Sequence, residues 1–180
     1  MLDTLRKEGL ERDTLVIFLS DNGGPTKQIT SRNDPFSGEK GSVLEGGIRV
    51  PFMLSWPGRV PSGVVEPRPV SSLDLFPTVL AAAGVPAPSG LDGVDLLPYL
   101  GGIRKDAPHP ILYWRMGERV AVRAGRWKLL RLKNSEPFRL YDLEADEKES
   151  KDLAAAQPDR ARELQDRWTA WSKELAPPRW

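Results

Sequence analysis

Asp21 and Asn22 stand side by side in Ser20-Asp21-Asn22-Gly23-Gly24-Pro25, directly after the apolar run Leu15–Leu19. They offer a carboxylate and an amide oxygen where a strand-like run gives way to a turn that glycine permits. Lys40 lies eighteen residues beyond Asn22, in the glycine-flanked tract Gly38-Glu39-Lys40-Gly41. Hard oxygen donors with an ammonium ion nearby suit a divalent metal and an oxyanion. A plainer reading stands beside it. Asp-Asn-Gly-Gly is also a good Asx turn, and most lysines are simply solvated.

The elements that must position these groups follow from the local pattern. Leu15–Leu19 is rich in strand formers and too short for a membrane span. In open α/β sheets ligands bind at the carboxyl ends of strands, which is where Asp21 and Asn22 fall. Before it, Leu2–Glu8 reads as a helix stopped by Gly9. This is half of an αβ unit, and a parallel strand needs neighbours on its edges and cover on its faces. The sequence therefore looks cut, with partner strands expected upstream. Pro25–Glu45 has no period and reads as a long functional loop. Ile48–Trp56 is a second strand, with Pro51 reducing its first half to an edge or approach. Ser71–Ala83 is a helix opened by a Ser71/Asp74 capping box and closed by Gly84, with Leu75, Val79 and Ala82/Ala83 on one face.

After the Pro/Gly-punctuated connector Val85–Gly102 the pattern changes. Ile111–Arg115, Arg119–Arg123, Trp127–Leu132 and Phe138–Leu143 are short segments rich in aromatic and branched residues, as in an antiparallel meander. Asp159–Leu175 carries Ala161, Leu164, Trp168, Trp171 and Leu175 on one helical stripe. Two domains are expected, 1–102 and 103–180. The second would be a small α+β unit of four strands and one helix.

Composition removes several classes of function. The 26 Lys and Arg nearly cancel the 25 Asp and Glu, leaving a net charge of +1 and no electrostatic case for nucleic acid or a membrane surface. No run is long enough to span a bilayer. Cysteine is absent, which removes disulfides, thiolate metal sites and a cysteine nucleophile. The opening residues show no secretory signal.

The strings SDNGG, GEKGSVLEGGIRVP, WPG and SSLDLFPTVLAAAG, in this order and spacing, resemble the C-terminal half of a type I sulfatase (arylsulfatase-like, alkaline phosphatase superfamily). The resemblance implies an α/β fold: an incomplete alkaline-phosphatase-like sheet followed by the small α+β subdomain. It implies hydrolysis of a sulfuric ester on a sulfated small molecule or glycan. Asp21 and Asn22 match the family's metal-binding pair, whose cation is calcium, and Lys40 matches the lysine that contacts the substrate sulfate. Calcium takes roughly six to eight oxygen ligands, so most would come from elsewhere. The nucleophile, its activating arginine, the other calcium acids and the acid/base histidines match nothing in these 180 residues. The expectation is a C-terminal portion that does not turn over alone, with a separately encoded N-terminal half as one possible partner. Two alternatives stay open: a non-catalytic binding or complementation module, and a phosphodiesterase or phosphonate hydrolase of the same superfamily. Family members are commonly exported, so a periplasmic or secreted location is what the resemblance implies.

Several other residues invite chemistry and have simpler explanations. Ser55-Trp56-Pro57-Gly58-Arg59 fits the C/S-x-P-x-R string from which sulfatases make formylglycine, but it follows the lysine loop, whereas the family's nucleophile precedes the Asp-Asn pair. His109, the sole histidine, reads as a surface or packing residue in a proline-flanked connector. Asp74 is explained by its place at a helix start. Arg49 is expected to pair with an acid such as Glu45. The acidic stretch Asp142–Glu149 lacks the glycine of a calcium-binding EF-hand loop. Trp114, Trp127, Trp168 and Trp171 read as packing between sheet and helix.

Overall fold

The computed structural model describes residues 1–176. Its elements fall into two compact units, Met1–Leu19 with Phe52–His109, and Ser20–Pro51 with the chain from Pro110 onward.

In the first unit, α1 (Leu2–Lys7) is stopped at Gly9, whose φ of 71° lies in the left-handed region that glycine adopts freely. A 3₁₀ turn leads to β1 (Val16–Leu19), which pairs with β2 (Phe52–Ser55). The pairing is antiparallel, with Val16 opposite Ser55 and Leu19 opposite Phe52. The expected strand over Ile48–Trp56 is thus shorter than its apolar pattern suggests. Pro51 has no N–H to offer a ladder, and β2 begins only after it. Phe18 and Met53 face each other across this pair and remain exposed, at 60% and 58%.

The helix expected at Ser71–Ala83 forms as a 3₁₀ turn, Ser72–Asp74, running into α3 (Leu75–Ala82). Its capping box is present: the Leu73 amide donates to Ser71 Oγ, and the Ser71 amide donates to Asp74 Oδ2 at 2.7 Å. The buried side differs from the expected one. Pro77 and Thr78 are buried while Val79 is exposed. Thr78 Oγ1 donates to the Asp74 carbonyl and accepts from the Leu96 amide, which draws that side toward Leu96 and α4 (Leu97–Leu100).

The second unit holds the meander β3 (Leu112–Met116), β4 (Arg119–Ala124), β5 (Trp127–Arg131) and β6 (Arg139–Asp142), antiparallel in sequence order. The first two hairpins have two-residue loops led by Gly117 and Gly125, each with φ 58°, the glycine-first pattern that matches strand twist. Alternation divides the sheet's side chains. Val122, Leu129 and Leu140 pack under Leu164 of α5 (Pro158–Lys173), with Ala161 and Trp168 at the margin. Trp171 stacks on Tyr113 with ring centroids 4.7 Å apart. Ala121, Leu130 and Tyr141 face the other way and pack with Val43. Val43 belongs to the loop that carries Lys40 toward α2 (Glu45–Ile48), a single helical turn. One face of the meander thus carries α5 and the other supports the chemistry-bearing loop.

Candidate metal and anion site

Chain leaving β1 enters a turn at Ser20, whose hydroxyl donates to the Asn22 carbonyl at 2.8 Å and whose amide donates to the Pro51 carbonyl at 3.1 Å. Asp21 is exposed and Asn22 half-buried. The Asp21 carboxylate has no hydrogen-bond or ion-pair partner among the described residues. Asn22 donates its Nδ2 to the Gly23 carbonyl at 3.1 Å, leaving Oδ1 as an acceptor. Both oxygens are therefore available to a cation.

The turn is fixed from beneath. Gly23 is buried, and its amide donates to the Gly47 carbonyl at 3.0 Å. A β-carbon at Gly23 would run into the Gly46 carbonyl oxygen, and one at Gly46 or Gly47 would meet the backbone of Ser37 or Ser42. Three chain segments touch backbone to backbone here. Only glycine allows such an approach.

Asn33, which the sequence reading passed over, closes the loop. Its Oδ1 accepts from the Gly24 amide at 2.8 Å, while its Nδ2 donates to the carbonyls of Gly24 and Gly38 at 2.9 and 3.1 Å. The Lys40 amide reaches the Gly24 carbonyl at 3.4 Å, so the lysine's backbone returns to within two residues of Asn22. The Lys40 side chain is exposed and has no ion-pair partner among the described residues. Its neighbour Glu39 is occupied differently: the carboxylate holds Lys27 Nζ at 2.8 Å and Thr26 Oγ1 at 3.0 Å. The hydrogen bond from Lys27 holds that carboxyl below the usual glutamate range.

Under α2 lies a buried charge cluster that the sequence only half revealed. Arg49 does approach Glu45, at 3.8 Å, but the principal partner of Glu45 is Lys128 of β5, at 2.8 Å. Lys128 is fully buried, and Glu149 Oε1 stands 2.8 Å from its ammonium, a charge contact rather than an aligned hydrogen bond. Glu149 Oε2 accepts from the Glu45 amide at 2.7 Å. Arg123, the cross-strand partner of Lys128, adds a contact to Glu45 Oε2 at 3.6 Å. Two cations side by side on a sheet repel unless an anion lies between them, and Glu45 contacts both. Burial raises the Glu149 carboxyl against the lowering pull of Lys128. Removing one partner from such a cluster costs roughly 3–5 kcal/mol, because it strands a buried charge.

The remaining candidates are accounted for by packing. Asp74 is wholly buried, with His109 Nε2 at 2.8 Å from Oδ1 and the Val94 amide donating to Oδ1 at 2.8 Å. That geometry is a structural staple and ties up the only histidine. Ser55 is exposed and pairs with Val16, at the end of β1 away from Leu19.

Against known proteins, residues 1–85 match the family model described as Sulfatase. Steryl-sulfatase of Mus musculus is 39% identical over 122 residues, covering 63% of this chain and 20% of that protein. N-acetylgalactosamine-6-sulfatase of Canis lupus familiaris is 40% identical over 134 residues, covering 71% of this chain and 25% of that protein. The chain thus spans about a fifth to a quarter of the length of these curated relatives. Among solved structures, that of Ps i-CgsB superposes with a TM-score of 0.88 at 32% identity, over 99% of this chain and 41% of that one. Ps i-CgsB has also been solved in complex with k-i-k-neocarrahexaose. The chain belongs to the sulfatase family, and its fold, two antiparallel sheets with a C-terminal helix, is the corresponding part of the sulfatase fold.

Do the residues present fit the calcium that this family implies? Asp21 and Asn22 offer two unengaged hard oxygens on a backbone that glycine contacts hold fixed, which suits calcium as part of a set. Among the described residues no group of three or more acidic or histidine side chains could hold a metal by itself. The fit is that of a partial ligand set.

Proposed function

We propose that this chain forms part of a sulfuric ester hydrolase and supplies two of its calcium ligands and a sulfate-contacting cation. The reading is carried by one observation: the Asp21 and Asn22 oxygens are unengaged on a turn clamped to α2, and the Lys40 backbone is drawn back to the same turn at Gly24. Asp21 and Asn22 would hold the cation. Bound there, calcium supplies positive charge to the oxygens of a sulfate group. The Lys40 ammonium contacts a sulfuryl oxygen and stabilises the charge that builds during S–O cleavage. Gly23, Gly46 and Gly47 keep these groups from drifting, which matters because an ångström of misplacement erodes catalysis steeply.

The nucleophile, the remaining calcium ligands and the proton donor come, in this reading, from residues outside the 180. His109 has its Nε2 committed to Asp74, which supports assigning proton transfer elsewhere. The chain alone is then inactive and needs a complementing segment. The carbohydrate bound by Ps i-CgsB makes a sulfated glycan the substrate class to try first.

The test is a chimera in which this chain replaces the corresponding part of Ps i-CgsB. Hydrolysis of a chromogenic aryl sulfate is expected with calcium present. It should fall at least about a hundredfold in Lys40→Ala and in Asp21→Ala. Full activity in either variant would remove that residue from the site. Faster turnover of an aryl phosphonate than of the sulfate would favour a phosphonate hydrolase instead. Saturable glycan binding by the isolated chain, with no turnover in the chimera, would favour a binding module.

A further inference from the structure

We propose that Lys128, on the inner face of the C-terminal meander, is the positioning residue for the Asp21/Asn22 turn and the Lys40 loop, acting through Glu45 and Glu149. The inference takes its functional meaning from the metal-and-sulfate reading above.

The path can be followed atom by atom. Lys128 Nζ lies 2.8 Å from Glu45 Oε1 and 2.8 Å from Glu149 Oε1. Glu45 is the first residue of α2, and its amide is held by Glu149 Oε2 at 2.7 Å. Both ends of the Glu45 residue, backbone and side chain, are thus fixed by groups tied to Lys128. The next residues of the same turn, Gly46 and Gly47, take up the Ser37 carbonyl at 2.7 Å and the Gly23 amide at 3.0 Å. Gly23 adjoins Asn22, and Ser37 opens the tract that reaches Lys40. A second strap runs in parallel, since Ser37 Oγ donates to the Lys148 carbonyl at 2.6 Å, one residue before Glu149.

Two features mark this cluster as a device for placement. A four-residue helical turn containing two glycines has little stability of its own, so its position is set by what it touches. Glu149 holds a φ of 55°, the sole positive value on a described residue other than glycine. Backbone strain of this kind persists where surrounding contacts over-determine it. It aims the Glu149 carboxylate at both Lys128 and the Glu45 amide.

Amide hydrogen exchange on the calcium-free chain tests the inference without relying on metal or turnover. In Lys128→Met, the amides of Gly23 and Gly46 should accelerate at least tenfold more than those of Val122 and Leu129, which report the global loss of stability. The double variant K128M/E149Q should recover most of the protection, because Glu45 retains Arg49 and Arg123. Should Lys128→Met fail to fold, Glu149→Gly serves as the second variant. It relieves the left-handed backbone while removing the anchor, so local acceleration at Gly23 and Gly46 is expected in a folded chain. Unchanged exchange at Gly23 and Gly46, or acceleration equal to that of Leu129, would overturn the proposal. If exchange responds as described but calcium never perturbs Asp21 or Asn22, the positioning path stands and the metal reading fails.

Discussion

The carboxamide of Asn33 grips the backbone of Gly24 in both directions, accepting from its amide at 2.8 Å and donating to its carbonyl at 2.9 Å. With a third bond to the Gly38 carbonyl, one side chain closes the loop on which Lys40 is carried. Asn33→Ala should destabilise the chain by about 2 kcal/mol, since partly buried amide bonds contribute roughly 1 kcal/mol each and orphaned groups add to the loss. Asn33→Asp should be worse at neutral pH, because a carboxylate would face two carbonyl oxygens. Urea titration of the three proteins checks the order. Equal stability of Asn33→Asp and wild type would show that the bidirectional bond contributes nothing.

Gly23→Ala should displace the Asp-Asn turn. Its new methyl group would overlap the Gly46 carbonyl, and overpacking of this kind costs typically about 1–3 kcal/mol. The shift should appear as altered amide resonances at Asp21, Asn22 and Gly47. A spectrum matching wild type at those positions would contradict the close approach.

Asp74→Ala should cost about 3 kcal/mol, leaving the Ser71 and Val94 amides and the His109 ring without their shared acceptor. Asp74→Asn, which keeps one oxygen, should cost less. Because neither Asp74 nor His109 belongs to the proposed metal-and-anion set, sulfatase activity in a folded chimera should survive either change. Complete loss of turnover at full stability would instead place Asp74 or His109 in the reaction.

Two carboxylates should respond to pH with opposite signs. Arg126 holds Asp142 below the usual aspartate range, with Nε donating to Oδ1 at 2.7 Å. A depressed carboxyl contributes stability above about pH 4 that is lost as pH falls through its folded value. The penalty of Asp142→Asn should therefore be present at pH 7 and shrink as pH falls below about 4. Glu149 is raised by burial, so its contribution is full below the ordinary glutamate value and is lost as pH rises through the folded one. Relative to Glu149→Gln, wild type should gain stability as pH falls from neutral toward about 4. Denaturant midpoints across pH for the three proteins decide both signs.

Local signals made much of the second unit legible. Aromatic and branched residues in short segments marked all four strands, and a periodic stripe marked α5, because each signal is local in sequence. The Ser71/Asp74 cap was legible for the same reason. The β1–β2 pairing was not, since nothing within either strand names its partner. The turn at Glu45–Ile48 was missed because two glycines argue against helix, and tertiary contacts override that preference. Within Trp127–Leu132 nothing singles out Lys128. Its burial depends on Glu45, 83 residues away, and no local window contains both. The exposure of Val79 has a similar cause: the stripe predicts an apolar face but not what lies against it.

Calcium titration of the isotopically labelled chain, followed at the Asp21 backbone amide and the Asn22 side-chain amide, addresses the metal-and-sulfate reading most directly. Saturable shifts are expected at Asp21–Gly24, at about millimolar calcium because two protein oxygens leave most of the coordination to water, and they should disappear in Asp21→Ala. A folded chain in which calcium shifts other acidic positions but leaves Asp21 and Asn22 unmoved would contradict it.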